Sequence, residues 1–208
     1  GYIISMTALL KDPRFPQARE KLDESLQTIH ETASTMQSLL DDLLDVSLIK
    51  EGKLSINKRP AKLVDLIKHA IEFHQQEGAE KQVSIAEDSE EIPDFLFDSG
   101  RISQVIGKLL SNAIKSSPAE STVVVSTRIK GEEVKVAVTD RGPGLNMGDL
   151  DTLIDLKTVI TKPTGNERSL ALGLAIAKKI VNLHNGRLQA KSLPEGGTTF
   201  SFTLPLAP

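Results

Sequence analysis

The sequence predicts an α+β protein in which a helical segment precedes a two-layer α/β sandwich, one sheet with helices on one face. Apolar residues before Gly52 recur at helical spacing, and after Gly52 helix-like segments alternate with short strand-like runs. Two turn signals, Lys130-Gly131 and residues 194–197, each separate a pair of strand-like runs in the manner of a β-hairpin. Helices mixed with mostly antiparallel strands bury their apolar faces as packed layers, which gives the predicted sandwich.

The composition is that of a globular protein and argues against several classes of function. The 208 residues include 25 Lys and Arg against 28 Asp and Glu, a formal net charge of −3, and 39% are hydrophobic. The near-neutral charge and the 3% of aromatic residues argue against a nucleic-acid-binding protein. The absence of cysteine excludes disulfides, thiolate catalysis and thiolate metal sites. No uncharged apolar stretch approaches the roughly 18 residues that a membrane span needs.

Residues 16–51 predict one long helix with an apolar seam. Its apolar residues are separated by alternating gaps of four and three, the a/d spacing of a coiled coil: Leu22, Leu26, Ile29, Ala33, Met36, Leu40 and Leu43. Further apolar residues widen this stripe toward that of a four-helix bundle: Leu39, Leu44 and Leu48. Gly52 is predicted as the C′ residue that ends the helix. A single long surface helix is the alternative, although it would not need so regular a seam.

A preceding apolar stretch completes the predicted dimerisation element. Gly1–Leu10 is uncharged and is interpreted as the end of another helix, and Asp12–Pro16 makes the turn between the two. Two such hairpins form a four-helix bundle, so the seam predicts a parallel homodimer. The expected domains are therefore residues 1–52, a partial helical hairpin, and residues 53–208.

The second domain is predicted to contain three helices and seven strands. The helices are expected at Leu63–Phe73, Arg101–Ser116 and Leu172–Leu183, with Asp98 or Ser99 as the N-cap of the second. The strands are expected at Leu54–Asn57, Val83–Ala86, Phe95–Phe97, Thr122–Ile129, Glu133–Thr139, Arg187–Ser192 and Thr198–Leu204. A loop-rich stretch from Asp140 to about Leu170 separates the fifth strand from the last helix.

The first candidate cluster lies on the second of these helices. Lys108, Asn112 and Lys115 share one helical face, opposite an apolar face that includes Val105, Leu109 and Ile114. An amide oxygen and an ammonium three residues apart suit a Mg²⁺ ion and the phosphates that it bridges. The alternative is that these residues are simply the solvated face of the helix.

The second candidate cluster follows a strand directly. Asp140 stands at the end of the strand and is followed by Gly142 and Gly144. This pattern lets the backbone approach a flat ligand while the carboxylate accepts a hydrogen bond from it. An ordinary turn has the same composition and remains the alternative.

The third candidate cluster, Ser169–Ile176, is rich in small residues and enters the last helix. Free amides at a helix N-terminus form an anion site. Close packing of the helix on the sheet is the alternative.

In this order and spacing the three clusters resemble the catalytic region of a sensor histidine kinase, of the GHKL ATPase superfamily that also includes gyrase, MutL and related chaperones. Three segments match its N, G1 and G2 boxes: Asn112–Pro118, Val138–Leu145 and Leu172–Val181. Gly196–Pro205 resembles the closing strand, and Leu43–Leu54 resembles the end of the second dimerisation helix. The resemblance covers nearly the whole chain and implies the GHKL type of α/β sandwich.

The resemblance implies a role for each candidate residue in binding ATP or ADP with Mg²⁺. Asn112 would ligate Mg²⁺ and Lys115 would lie near the phosphates, and both would act in catalysis. Asp140 would accept a hydrogen bond from the adenine amino group, with Thr199 supporting it through water. Gly142 and Gly144 would shape the adenine pocket, and Leu172, Gly173 and Leu174 would admit the phosphates at the helix start. Residues 146–170 would form a mobile lid.

The resemblance also implies a reaction and partners. The γ-phosphoryl group of ATP would pass to a histidine and then to an aspartate in the receiver domain of a response regulator, within a homodimer. No nucleic-acid partner and no membrane segment are expected. The expected location is the cytoplasm, for a free protein or for the cytoplasmic part of a membrane-bound sensor.

The sequence departs from the kinase pattern at three places. The run His-Glu-Leu-Arg-Thr-Pro that carries the phosphoacceptor is absent, and the chain is expected to begin just after it. Ser169 and Ala171 stand where the G2 box usually has glycines. Lys108 occupies the position of the first N-box asparagine, four residues before Asn112, where hydrolysing relatives place a catalytic glutamate.

These departures leave two alternative functions open. One is a degenerate, dimeric signalling scaffold or phosphotransfer adaptor that binds nucleotide weakly or not at all. The other is an ATP hydrolase of the gyrase or chaperone class, which Lys108 disfavours because a charged lysine cannot act as the base that activates water. The four histidines, His30, His69, His74 and His184, are interpreted as structural or solvent-exposed.

Overall fold

A computed structural model describes residues 26, 32–33, 36–37, 39–144 and 166–207, without the side chains of 166–170. Its internal contacts divide the chain into two compact units, Gly1–Ser47 and Leu48–Pro208. The division falls slightly before the domain boundary expected after Gly52. Among the described residues, no helix is both long enough and apolar enough to cross a bilayer.

The described residues of the first unit are helical, and most of their large apolar side chains are exposed, although Val46 is buried. Helix α1 covers residues 39–50, and the described residues before it are also helical. Met36 is 60% exposed, and Leu40 and Leu43 are exposed to a similar extent. The described residues of the predicted seam are therefore exposed in the single chain. Leu22, Ile29 and Gly1–Leu10 lie outside the described residues.

Gly52 ends α1 as predicted. Its φ of +68° is a left-handed conformation that an L side chain rarely adopts. The N–H of Gly52 donates to the carbonyl of Ile49 at 3.1 Å, and the N–H of Lys53 donates to the carbonyl of Leu48 at 2.8 Å. These two bonds are the Schellman motif, which satisfies carbonyls that a helix end otherwise leaves without partners.

Beyond the end of α1, the described residues of the second unit form seven strands and three helices. The strands are β1 (Arg59–Ala61), β2 (Ser84–Ser89), β3 (Phe95–Phe97), β4 (Thr122–Lys130), β5 (Glu133–Thr139), β6 (Leu188–Ser192) and β7 (Thr198–Pro205). The helices are α2 (Leu63–Glu80), α3 (Ser99–Ser116) and α4 (Asn166–Leu183).

Five strands form the main sheet in the order β2-β4-β5-β7-β6, and β1 pairs with β3 in a separate two-stranded sheet. Strand β2 runs parallel to β4, and the other neighbours are antiparallel. Gly131, with φ +62°, makes the turn between β4 and β5 that the sequence predicts. This is the predicted α+β fold, with a mixed sheet packed against helices.

The core lies between the sheet and the helices. Alternate residues of β5 and β7 are almost completely buried: Val134, Val136, Val138, Phe200, Phe202 and Leu204. One face of α3 is equally buried: Ile102, Val105, Ile106, Leu109 and Leu110. Burial of each such side chain stabilises the fold by about 1.5–3 kcal/mol. The core therefore holds α3 with its opposite face, the one that carries Lys108 and Asn112, turned away from the apolar residues.

Three predicted elements differ most from the structure, while others differ by one to three residues at an end. The strand expected at Leu54–Asn57 is wrong: the first strand is β1, and the N–H of Asn57 donates to Oδ2 of Asp98 at 2.7 Å instead of to a neighbouring strand. Helix α2 continues to Glu80, since its buried stripe extends through His74 and Gly78. Helix α4 begins at Asn166 and not at Leu172, and alanine at 171 in place of glycine favours the longer helix.

Candidate functional site

Helix α3 is held at both ends by side chains from other elements. Asp98 is its N-cap and accepts from the N–H of Arg101 at 3.0 Å, as expected from the sequence. The N–H of Asp98 donates to Nε2 of His184, which follows α4, at 3.0 Å. At the other end, Nζ of Lys81 donates to the carbonyl of Ile114 at 2.9 Å and also to that of Lys115. These bonds fix the helix that carries the first candidate cluster.

Asn112 is the residue of this cluster that lacks a partner. Its Nδ2 is buried and has no hydrogen-bond partner among the described residues. A buried amide without a partner costs about 1–3 kcal/mol, so its retention needs an explanation. A bound ligand would supply the missing interaction, with the amide turned to present either its oxygen or its nitrogen.

Lys115 is mostly exposed and faces a carboxylate. Its side chain is 71% exposed, and Nζ lies 4.0 Å from Oε1 of Glu77. Glu77 also accepts from the hydroxyl of Ser111 at 2.9 Å and bonds Nδ1 of His74 at 2.8 Å. Burial alone would raise the pKa of Glu77, but these two hydrogen bonds and the charge of Lys115 outweigh it and lower the pKa. Glu77 is therefore charged, and it lies at the edge of ion-pair distance from the exposed Lys115 ammonium.

Asp140 is buried where β5 ends, with only 2% of its surface exposed. Its Oδ1 accepts from the N–H of Gly142 at 2.8 Å and from the N–H of Thr198 at 3.1 Å. Burial raises the pKa of Asp140, and the two amide bonds oppose this rise. Both bonds use Oδ1, so a ligand donor would be accepted by Oδ2.

The turn after Asp140 packs against the end of α3. A Cβ on Gly142 would lie 2.7 Å from the carbonyl oxygen of Ser116, too close for any other residue at this position. Gly144 has φ +82°, which also favours glycine. The glycines that the sequence places after Asp140 thus bring this turn beside the N-box helix.

The carboxylate of Asp140 accepts a hydrogen bond from the backbone N–H of Thr198, whereas Thr199 has a different partner. Thr199 pairs with Thr139 across β7 and β5, and their hydroxyl oxygens are 3.0 Å apart. Successive side chains alternate between the two faces of a sheet, so Thr198 shares the face of Asp140 and Thr199 lies on the other. The sequence reasoning missed Thr198 because the two threonines are adjacent and a shift of one residue changes the face.

Gly173 lies inside α4 and not at its start. The helix begins at Asn166, so the expectation that Gly173 stands at a free helix N-terminus is wrong. An amide two turns inside a helix bonds the carbonyl four residues before it. Leu174 is buried in the core, and Leu172 is half-buried. Of the predicted lid, residues 146–165 lie outside the described residues, and 166–170 are helical.

Lys108 connects α3 to α4 at Gly173. A Cβ on Gly173 would lie 3.5 Å from Cδ and 3.8 Å from Nζ of Lys108. Helix α3 therefore contacts the turn after Asp140 through Ser116 and contacts α4 through Lys108. It is the element that brings the three predicted clusters together.

Of the three histidines that the structure describes, two are buried and hydrogen-bonded, and one is exposed. His184 is 1% exposed, and its Nδ1 donates to the carbonyl of Ile180 at 2.8 Å while Nε2 accepts from Asp98. His74 is 9% exposed and bonds Glu77. His69 is exposed, and His30 lies outside the described residues. No local sequence pattern indicates the pairing of His184 with Asp98, since 86 residues separate them.

Residues 97–208 match the sequence model of the histidine kinase-, DNA gyrase B-, and HSP90-like ATPase family. The matched residues run from the last residue of β3 and include α3, Asp140, α4 and β7. The chain belongs to this family. Domains of this ATPase family bind ATP, and every candidate site residue lies within the matched range.

Curated relatives of this ATPase domain include sensor kinases. The adaptive-response sensory kinase SasA of Synechocystis is 30% identical over 82% of this chain and 45% of its own length. The non-motile and phage-resistance protein of Caulobacter vibrioides is 32% identical over 86% of this chain and 22% of its own length. The chain thus spans less than half the length of these relatives.

Solved histidine kinases share the fold of this ATPase domain. The histidine kinase AdeS of Acinetobacter baumannii superposes with a TM-score of 0.69 at 21% identity, over 88% of this chain and 84% of that chain. Full-length ShkA, solved in complex with AMPPNP, superposes with a TM-score of 0.70 at 23% identity, over 89% of this chain and 39% of that chain.

Proposed function

We propose that this chain is the ATP-binding catalytic region of a two-component sensor histidine kinase. In the whole protein, the γ-phosphoryl group of ATP passes to a histidine nitrogen as its bond to the bridging oxygen of ADP breaks. It then passes to an aspartate in the receiver domain of a response regulator. The observation that carries this proposal is the buried Asp140 carboxylate, held by two backbone amides where β5 ends. Because it needs ATP, the region is expected to act in the cytoplasm, as part of a homodimer.

Asp140 is proposed to recognise the adenine. Its Oδ1 is already engaged, so Oδ2 accepts the hydrogen bond from the exocyclic amino group. A charged acceptor in a buried site forms a strong hydrogen bond and rejects a ring that presents a carbonyl oxygen at the same place. The side chain of Thr198, on the face of Asp140, is in the better position than Thr199 to support the carboxylate.

Asn112 is proposed to hold Mg²⁺ together with the nucleotide phosphates. The unpartnered Nδ2 fits this role when the amide is turned so that its oxygen takes the same buried position, because an amide oxygen is a ligand that Mg²⁺ accepts. When bound, the cation neutralises phosphate charge and orients the γ-phosphoryl group for transfer. Lys115, exposed and three residues further along α3, is proposed to reach the phosphates as a flexible positive charge.

One observation favours the alternative of a degenerate scaffold. Because α4 begins at Asn166, the amide of Gly173 lies inside the helix and is not free to bind a phosphate. A site with fewer phosphate donors binds nucleotide more weakly. The ATP hydrolase alternative has no comparable support, since Lys108 stands where the base would be.

Calorimetric titration with ATP, inosine triphosphate and adenosine, each with Mg²⁺, tests the proposal. Inosine triphosphate has a carbonyl oxygen in place of the adenine amino group. We expect ATP to bind at least about tenfold more tightly than inosine triphosphate. No binding of either nucleotide would favour the degenerate scaffold, and equal binding would remove Asp140 from the adenine site. Steady-state release of phosphate by the chain alone would instead favour the hydrolase.

A further inference from the structure

The side chain of Lys108 extends across the surface of α4 beside the proposed phosphate end of the site. Lys108 precedes Asn112 by one turn of α3, which places their Cβ atoms about 5–6 Å apart on one face. Its Nζ lies 3.8 Å from the point that a Cβ on Gly173 would occupy. The absence of a side chain at Gly173 thus makes room for the half-buried Lys108 side chain, whose Cδ and Nζ both lie beside this position.

The contact at Gly173 changes what this part of the site can offer to an anion. Within α4 the backbone amide of Gly173 is committed to the helix. The group at this position that can meet a phosphate is therefore the Lys108 ammonium, a full positive charge with three donors. A phosphate beside Gly173 would therefore contact a side chain of α3. A helix that began at Gly173 would instead have offered backbone amides.

We propose that Lys108 binds the phosphates of the nucleotide and takes over part of the charge neutralisation that a divalent cation otherwise supplies. This inference rests on the proposed function. Lys108 and a cation at Asn112 interact with the same phosphate charge and repel each other, so each is needed less when the other is present. Mg²⁺ should therefore increase nucleotide affinity less in the unmodified chain than in a variant without the Lys108 charge. By the same linkage, removal of this charge should reduce nucleotide affinity less when Mg²⁺ is present.

Calorimetric titration of the whole chain with ADP and with adenosine, each in EDTA and in excess Mg²⁺, measures this coupling. Lys108→Met keeps the aliphatic chain beside Gly173 but removes the charge. We expect it to weaken ADP in EDTA by about tenfold and in Mg²⁺ by only about twofold to threefold, since the cation then compensates. Adenosine, which has no phosphate, should bind the variant and the unmodified chain equally.

Two further variants separate the effect of the Lys108 charge from the effects of side-chain packing and of the net charge of the protein. Lys108→Arg retains the positive charge and should retain ADP affinity in EDTA. Lys68→Met removes the same charge from an exposed position on α2 and should change neither ligand in either buffer. If Lys108→Arg weakened ADP binding in EDTA as much as Lys108→Met does, packing and not charge would explain the effect. That result would overturn the proposal.

The remaining outcomes distinguish this inference from the proposed function. An unmodified chain that binds neither ADP nor adenosine overturns both. An unmodified chain that binds both ligands, with the same effect of Lys108→Met on ADP in EDTA and in Mg²⁺, overturns the role of Lys108 alone. Adenosine binding that Lys108→Met weakens as much as it weakens ADP has the same meaning, because the lysine would then not act through phosphate.

Discussion

Nε2 of His184 accepts a hydrogen bond from the backbone N–H of Asp98 at 3.0 Å, which ties the end of α4 to the start of α3. Nδ1 of the same ring donates to the carbonyl of Ile180. One ring nitrogen must therefore carry a proton and the other must not, so the imidazole is neutral in the folded protein. Burial lowers the pKa of His184, and Lys58 lowers it further, while the bond to Ile180 and the charge of Asp98 oppose the change.

This neutral histidine predicts that the free energy of unfolding falls as the pH falls. Below its ordinary pKa of about 6.5 the histidine binds a proton in the unfolded chain before it does so in the folded chain. The contribution of His184 is thus complete above that pH and is lost as the pH falls toward the lower folded pKa. Urea unfolding between pH 5 and pH 8 measures it. His184→Gln should flatten this part of the profile, whereas His69→Gln, at an exposed residue, should not. Equal slopes in all three proteins would contradict the prediction.

Asp140→Asn is expected to remove most of the stabilisation by nucleotide. Ligand at one hundred times its dissociation constant stabilises a folded protein by about 2.7 kcal/mol, and this gain depends on the adenine contact. Scanning calorimetry with and without Mg-ATP or ADP measures it. The exposed Asp94→Asn is the matched control and should leave the ligand-induced rise in Tm intact. An unchanged rise in Asp140→Asn would remove the adenine assignment.

The same substitution is expected not to lower the stability of the free protein at neutral pH. Burial raises the pKa of Asp140, so the folded state holds the proton more strongly than the unfolded state does. Stability then decreases as the pH rises from the ordinary carboxyl pKa through the folded one, and above it the charged form carries this cost. Asparagine keeps an oxygen for the amides of Gly142 and Thr198 without the charge. A lower Tm for the free variant at neutral pH would contradict this account.

Met36→Asp is expected to disrupt a homodimer. Met36 is 60% exposed in the single chain and lies in the predicted seam, where a second copy would bury it. An unpaired charge buried there costs several kcal/mol. Light scattering across a concentration series measures the change, with Met36→Leu as the control that keeps an apolar side chain of similar volume. An unmodified chain that stays monomeric at high concentration would rule out the dimer.

The chain is expected not to phosphorylate itself on histidine. His74 does have a carboxylate partner in Glu77, which the sequence reasoning did not foresee, but its ring is buried. Only 9% of His74 is exposed, so ATP has little access to its ring nitrogens. Incubation with labelled ATP should yield no acid-labile, base-stable label. Such a label, absent from His74→Gln or from His30→Gln, would identify an acceptor and contradict the prediction.

Restoring glycine at two positions is expected to strengthen phosphate binding. Ser169 and Ala171 lie in the first two turns of α4, and glycine is about 1 kcal/mol less favourable than alanine inside a helix. Ser169→Gly with Ala171→Gly should thus shorten α4 and free an amide near Gly173. One recovered amide–phosphate bond is worth about 1 kcal/mol. Calorimetry should give a higher ratio of ATP to adenosine affinity, and an unchanged ratio would mean that this segment does not contact phosphate.

Features that depend on neighbours in the chain were predictable from the sequence. Asp98 as the N-cap of α3, Gly52 as the end of α1 and Gly131 in the β4–β5 turn are each determined by the backbone bonds of a few adjacent residues. Periodicity likewise identified the buried face of α3, because Val105, Leu109 and Ile114 recur at helical spacing. The same periodicity placed the candidate site residues Lys108, Asn112 and Lys115 on the opposite face of that helix.

Features that depend on distant pairing were not predictable in this way. The sequence predicted that α4 begins at Leu172, whereas the helix begins at Asn166. The choice of Thr198 over Thr199 depends on the register of β7 against β5, and a single-residue shift exchanges the two faces.

By itself the sequence determined the order of the elements, the apolar faces and the position of Asp140 where β5 ends, because these rest on side-chain periodicity and local backbone chemistry. The tertiary structure decided that β7 lies between β5 and β6, and that Thr198 bonds Asp140. It also decided that Lys108 lies against Gly173. These contacts join residues far apart in the chain, and packing of the whole core selects them, not the propensity of any one segment.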